Sequence, residues 1–204
     1  YYVTRQMGSL QERLLGEGHG VPVIDASWFA VTPFLKKFAS QHPGTELVQL
    51  DGESNQLMRP VEDERFDLIS EFFMRKEIKA RIVTFKPVDV PAIVIYPKDA
   101  EFIMETRSAL DSDELPGPLA GLVSDYVNRL SAEQEDDLEG TLYVNASNDL
   151  IVKLAKLEPD TGRDAALMLI YQMAKLFSGR MLDNLQISDA FRGASDSINR
   201  LLED

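Results

Sequence analysis

From Thr161 to Asp204 the chain carries two adjacent apolar helical patterns, and little other sequence follows that could cover them. In the second, Ile187, Ala190, Phe191, Ala194, Ile198, Leu201 and Leu202 recur at three- and four-residue spacing, which places them on one helical stripe. The first, Arg163 to Leu182, is apolar nearly all round, with Leu167, Leu169, Ile170, Tyr171, Met173, Leu176 and Phe177, the mark of a helix buried on several sides. A two-helix hairpin cannot bury that much surface by itself. A second copy of the chain would supply the cover, closing two hairpins into a four-helix bundle across a homodimer. The expected interface comprises Leu167, Ile170, Met173, Phe177, Ile187, Phe191, Ala194, Ile198, Leu201 and Leu202.

Composition restricts what such a dimer can do. A chain of 204 residues can bury a real core without crosslinks, either as one large domain or as two small ones. The absence of cysteine excludes disulfides, a thiolate nucleophile and cysteine-based zinc or iron–sulfur sites, and points to a reducing, cytoplasmic location. No apolar run is long enough to span a bilayer and no signal peptide opens the sequence. A formal net charge of -13 and a pI near 4.6 disfavour nucleic acid and anionic membrane surfaces, which both need clustered Lys and Arg. The start at Tyr1, in mid-pattern and without an initiator methionine, reads as a piece of a longer protein.

Read along its length, the chain predicts a strand at Tyr1 to Thr4 and a helix from Arg5 to Leu15, ended by the glycines of Gly16-Glu17-Gly18-His19-Gly20. A strand at Val21 to Asp25, an amphipathic helix from Phe29 to Ala39 carrying Phe34, Leu35 and Phe38, and a strand at Glu46 to Leu50 follow. Such alternation suggests a small α/β unit with some parallel pairing. The polar, proline-ended Asp51 to Pro60 marks a boundary, so the expected domains are 1–59 and 60–204. Beyond it come a helix from Val61 to Glu77 with Phe66, Ile69, Phe72 and Phe73 inward, and strands at Ala80 to Phe85 and Ala92 to Tyr96 with Lys86 to Pro91 as the turn. Helix candidates at Asp99 to Leu110 and Leu119 to Leu130, a strand at Thr141 to Asn145 and a helix at Asn148 to Leu157 lead to the terminal pair. The fold class is α+β, with the all-helical part last.

Catalytic machinery is sparse. His19 sits in a glycine-rich turn and His42 beside Pro43, and neither has the partners of a triad. The glycines at 16, 18 and 20 imitate a dinucleotide fingerprint, but a helix precedes them and a strand follows, the reverse of that motif; helix termination explains them better. Asp111, Asp113 and Glu114 hint at calcium, yet Leu115, Pro116 and Pro118 stand where oxygen ligands are needed. The acidic run Glu133 to Glu139 reads as a solvated linker. No metal or cofactor site is expected. More suggestive are Trp28-Phe29, just after a strand, and Phe102, Ile103 and Met104 in the Asp99 helix, because exposed Met and aromatic groups make adaptable surfaces for apolar partners.

Taken in order, these pieces resemble the C-terminal part of the heat shock protein 90 family, its bacterial form in particular. Tyr1-Tyr2-Val3-Thr4 looks like a strand near the end of that family's middle domain, and Val21-Pro22-Val23-Ile24-Asp25 with Trp28 like the next strand and its aromatic. Val83-Thr84 to Pro91-Ala92-Ile93-Val94 is similar to the hairpin of its C-terminal domain. Val144-Asn145-Ala146-Ser147-Asn148-Asp149-Leu150-Ile151-Val152-Lys153-Leu154 resembles its Asn-containing strand end and following helix, and Asn199-Arg200-Leu201-Leu202 its close. The chain departs from the family at Lys86-Pro87, where Arg-Leu is usual, and at Leu115 to Glu139, which looks like an insertion.

The resemblance implies the end of the middle domain plus the C-terminal dimerisation domain of an ATP-dependent chaperone of the stress response. The ATP and magnesium site and the catalytic arginine would lie upstream of Tyr1, so this part would hold no cofactor and catalyse nothing. It would provide constitutive homodimerisation and part of the face for unfolded client proteins, with Trp28, Phe29, Phe102, Ile103 and Met104 as client contacts. Because the chain ends in Leu201-Leu202-Glu203-Asp204, helical-repeat co-chaperones that read a Met-Glu-Glu-Val-Asp tail are not expected. Two other readings stand beside it: a dimeric scaffold or regulatory module unrelated to chaperones, and a small hydrolase or transferase using carboxylates such as Asp25 and Asp89.

Overall fold

The computed structural model describes residues 1–4, 10–50, 54–96, 103, 106, 110, 121, 123–125, 128, 140–178 and 184–203. These fall into two compact units, one made of Tyr1–Ile95 with Thr141–Asp204 and the other of Tyr96–Gly140. In the second unit Ile103, Thr106, Leu110, Gly121, Val123, Ser124, Asp125 and Asn128 are helical, and the remainder of the two helix candidates and the acidic run lie outside the described residues.

The first unit is α+β. Strands β1 (Tyr2–Val3) and β2 (Ile24–Asp25) pair in parallel, with Tyr2 opposite Ile24, so a crossover must join them; α1 (Leu10–Gly18) lies in that connection. The expected third strand is reduced to one bridge between Tyr2 and Gln49, flanked by the Tyr2 N–H donating to the Val48 carbonyl at 3.0 Å and the Leu50 N–H donating to the Tyr2 carbonyl at 2.9 Å. The glycines at 16, 18 and 20 act differently from the expectation. The helix runs on through Gly16 and ends at Gly18, and only Gly20, at φ 68°, makes the turn. Gly18 serves close packing: a Cβ there would stand 2.5 Å from the Pro87 nitrogen and 2.6 Å from the Lys86 carbonyl carbon.

Helix α2 (Val31–Gln41) follows β2, and after it comes a second sheet of β3 (Arg59–Pro60), β4 (Ala80–Thr84), β5 (Ala92–Ile95) and β6 (Thr141–Asn145) in the order β3-β4-β6-β5. The expected β4–β5 hairpin does not form. Strand β6 lies between the two, parallel to β4 with Ile82 opposite Val144, and antiparallel to β5 with Ile93 opposite Tyr143. Local turn signals at Lys86 to Pro91 could not reveal this, because the inserted strand comes some fifty residues later. Helix α3 (Asp67–Arg75), entered by a 3-10 turn at Glu64–Phe66, buries Phe66, Ile69, Phe72 and Phe73 as their spacing predicts.

One core cluster joins Val3, Leu15, Val48 and Leu50 to Leu57, Met58, Val83, Phe85, Ile93 and Ile95, so its side chains come from both sides of position 59. A smaller one holds Tyr2, Ala26 and Leu35. Helix α4 (Asp149–Ala155) is capped by Asn148, whose Oδ1 accepts from the N–H groups of Leu150 at 3.0 Å and Ile151 at 3.3 Å. Helix α5 (Thr161–Leu176) is capped by Asp160, which accepts from the Arg163 N–H at 2.6 Å. Packed against β5 and α5 is α1, through Gln11. Its Oε1 accepts from the Val94 N–H at 2.7 Å on the outer edge of β5, and its Nε2 donates to the Ala174 carbonyl at 2.8 Å, one of the carbonyls a helix leaves unpaired at its end. The last helix is α6 (Asn184–Glu203), which packs along α5.

Candidate functional site

Helices α5 and α6 meet through small residues. Ala190 and Ser197 are buried, and a Cβ on Gly193 would come within 3.0 Å of the Gln172 side chain, so the two helices approach closely there. Ser197 can be buried cheaply because its Oγ donates to the Gly193 carbonyl at 2.9 Å. This separates the stripe read from the sequence into two neighbouring faces. Ala190 turns toward α5, whereas the large side chains stay outside.

Of the expected interface, Leu167 and Ile170 are already covered by the chain itself and Ala194 is half-buried. Met173, Phe177, Ile187, Phe191, Ile198, Leu201 and Leu202 are exposed, Phe177 at 66%, Phe191 at 61% and Ile198 at 47%. Seven large apolar side chains are thus exposed on this helix pair.

A second exposed apolar group lies where β2 passes into α2. Trp28 is 65% and Phe29 82% exposed, and their rings meet edge to face at 5.2 Å. The turn that carries them is tied down by Asp25, which accepts from the Ser27 N–H at 3.0 Å and from Arg13 at 2.6 Å. Phe34 and Phe38 of α2 are exposed as well, Phe38 stacked on His42 with ring centroids 3.9 Å apart. Of the three apolar residues of this amphipathic helix only Leu35 is buried, packed with Tyr2 and Ala26. Of the other expected client contacts, Ile103 is fully buried, and Phe102 and Met104 lie outside the described residues.

The groups that suggested chemistry are engaged locally. Each histidine bonds through Nδ1 to a carbonyl of the preceding helical turn, His19 to Leu15 at 2.9 Å and His42 to Phe38 at 2.8 Å. The Asp25 carboxyl is held down to about 2, first by the Ser27 side-chain hydrogen bond, then by the Ser27 N–H and Arg13. A carboxylate so stabilised is a weak proton acceptor at neutral pH. Asp111, Asp113 and Glu114 lie outside the described residues, and among the described helices none is long and apolar enough to cross a membrane.

No protein-family model matches the chain, and no curated protein matches it.

Proposed function

We propose that this chain is a homodimerisation module, joined through α5 and α6, and that it belongs to a chaperone of the heat shock protein 90 type, for which it also supplies part of a client-binding face in the cytoplasm. The exposed series Met173, Phe177, Ile187, Phe191, Ile198, Leu201 and Leu202 carries this reading. Two copies of the α5–α6 hairpin, packed face to face, would bury it in a four-helix bundle. Each large side chain so buried contributes roughly 1.5 to 3 kcal/mol of transfer free energy, against which the entropy of association must be set.

The role follows from linkage. Joining two protomers at one end turns any contact between their distant parts into an intramolecular event, at an effective concentration of ~mM for suitable geometry. Weak contacts between catalytic domains placed elsewhere in the parent protein then suffice to close a clamp. Trp28 and Phe29, exposed and rigidly seated, suit apolar segments of unfolded chains. Sedimentation equilibrium tests the central point: a dimer is expected, and a monomer at micromolar concentration would end this reading. A dimeric scaffold outside the chaperones shares the same bundle, and differs in showing no affinity for unfolded protein.

A further inference from the structure

In a chain of net charge -13, the described residues line a cleft whose charged lining is wholly basic. It has a volume of about 450 Å³ and brings together His19, Arg59 and Lys86 with the donors Gln56, Thr84 and Ser147. No acidic side chain among the described residues lines it, and neither Arg59 nor Lys86 has an ion-pair partner among them. Like charges gathered without a counter-charge repel one another, and an oxyanion relieves that repulsion while accepting from the hydroxyls and the amide.

The cleft is built on fixed parts. Pairing of β3 with β4 sets Arg59 opposite Thr84. The loop that carries Lys86 is fastened by Asn145, which donates to the carbonyls of Phe85 at 3.2 Å and Val90 at 3.0 Å, and by Asn148, which donates to Val88 at 2.8 Å. Gly18 lets the end of α1 press directly on the Lys86-Pro87 backbone, which seats His19 beside it. Its Nδ1 bonds to the Leu15 carbonyl at 2.9 Å. Leu57, Phe85 and Val88 add an apolar wall. The volume lies within the range of small-molecule sites, roughly 300 to 1,000 Å³, and exceeds what inorganic phosphate alone would fill.

We propose that this cleft binds a small phosphate monoester, its dianionic head on Arg59 and Lys86 and a compact apolar body against Leu57, Phe85 and Val88. Two full cations match a dianion better than a monoanionic carboxylate. None of the described residues that line it belongs to α5 or α6, so the proposal does not rest on the dimer reading.

The test is an NMR titration of the 204-residue chain with phenyl phosphate, inorganic phosphate, benzoate and benzyl alcohol, following the amides of Lys86 and Ser147. Phenyl phosphate is expected to bind saturably, about tenfold more tightly than benzoate or inorganic phosphate, and benzyl alcohol not to bind. Arg59→Gln and Lys86→Gln should each weaken phenyl phosphate about tenfold, while Arg75→Gln, an exposed cation outside the cleft, should not. Both cleft cations are exposed, so resonances away from the site should stay in place and report an intact fold. Absence of saturable binding, equal binding of benzyl alcohol, or unchanged affinity in both cleft variants would each overturn the proposal.

Discussion

Asn145 answers both backbone groups of Phe85: its Oδ1 accepts from the Phe85 N–H at 3.3 Å and its Nδ2 donates to the Phe85 carbonyl at 3.2 Å. The same Nδ2 reaches the Val90 carbonyl at 3.0 Å, and the Oδ1 also accepts from the Ser147 N–H at 3.1 Å. One fully buried amide at the end of β6 therefore substitutes for the hairpin pairing that β4 and β5 do not make, and closes the loop between them.

Asn145→Ala should destabilise the chain by about 3 kcal/mol, because the Phe85 N–H and the carbonyls of Phe85 and Val90 lose their bonds to the buried amide. Asn145→Asp should do at least as much harm at neutral pH, since a carboxylate can accept from Phe85 and Ser147 but cannot donate to the carbonyls, and it buries a charge. Urea unfolding of both variants checks this; a loss below about 1 kcal/mol for Asn145→Ala would mean that the loop is held otherwise.

Gly18→Ala forces a Cβ to 2.5 Å from the Pro87 nitrogen and 2.7 Å from the Lys86 carbonyl oxygen, both backbone atoms with little room to yield. A cost of about 1–3 kcal/mol is expected despite the better helix propensity of alanine. If propensity governed instead, thermal unfolding would show the variant more stable than the parent.

Phe191→Asp and Ile198→Asp place a charge on the exposed apolar face of α6. Within a single chain these are surface changes, worth about 0.5 kcal/mol or less, so circular dichroism should be unaltered. Dimerisation should weaken at least about 100-fold, because the charge would be buried without a partner. Sedimentation equilibrium separates the outcomes, and variants as dimeric as the parent would displace the interface from this face.

Trp28→Ser should weaken binding of a fluorescently labelled unfolded protein by at least about fivefold, the loss of part of one large apolar contact. Phe102→Ser tests the second expected client contact in the same titration. Unchanged affinity in both variants would remove the client-binding reading while leaving the dimer standing.

Acid should loosen the β2–α2 corner in a defined window. Asp25 is held at about 2, below its unfolded range, by Ser27 and Arg13. A depressed carboxyl stabilises the fold fully above the unfolded value of ~3.9 and ceases to do so as the pH falls through about 2. Asp25→Asn should therefore narrow its stability deficit relative to the parent between pH ~4 and ~2, as followed by urea midpoints. A deficit constant across that range would show that Ser27 and Arg13 do not favour the ionised form.

How far the pattern could be read depended on the range of the interaction. Phe66, Ile69, Phe72 and Phe73 are buried where helical spacing alone placed them, and a helix begins at Asn148, whose side chain reaches the first free N–H groups. The outward face of α6 was legible too, since Phe191 and Ile198 recur at helical period. Ala190 shares the stripe with them yet is buried, because a small apolar residue suits either face, and the close approach at Gly193 shows where α5 packs. The basic cleft left no trace in the sequence, for His19, Arg59, Lys86 and Ser147 are scattered along it without motif or spacing.

Local periodicity and capping chemistry thus determined where the helices lie, the α+β class, and the presence of more apolar helical surface than one hairpin can hide; these depend on neighbours a few residues apart. Tertiary structure alone decided that β6 enters between β4 and β5, that Gly18 at the end of α1 packs on the Lys86-Pro87 backbone, and that scattered cations share one cleft. Each of those outcomes pairs groups tens of residues apart, and which distant partner wins is set by shape and burial in the assembled core, not by any property carried in a short window of the chain.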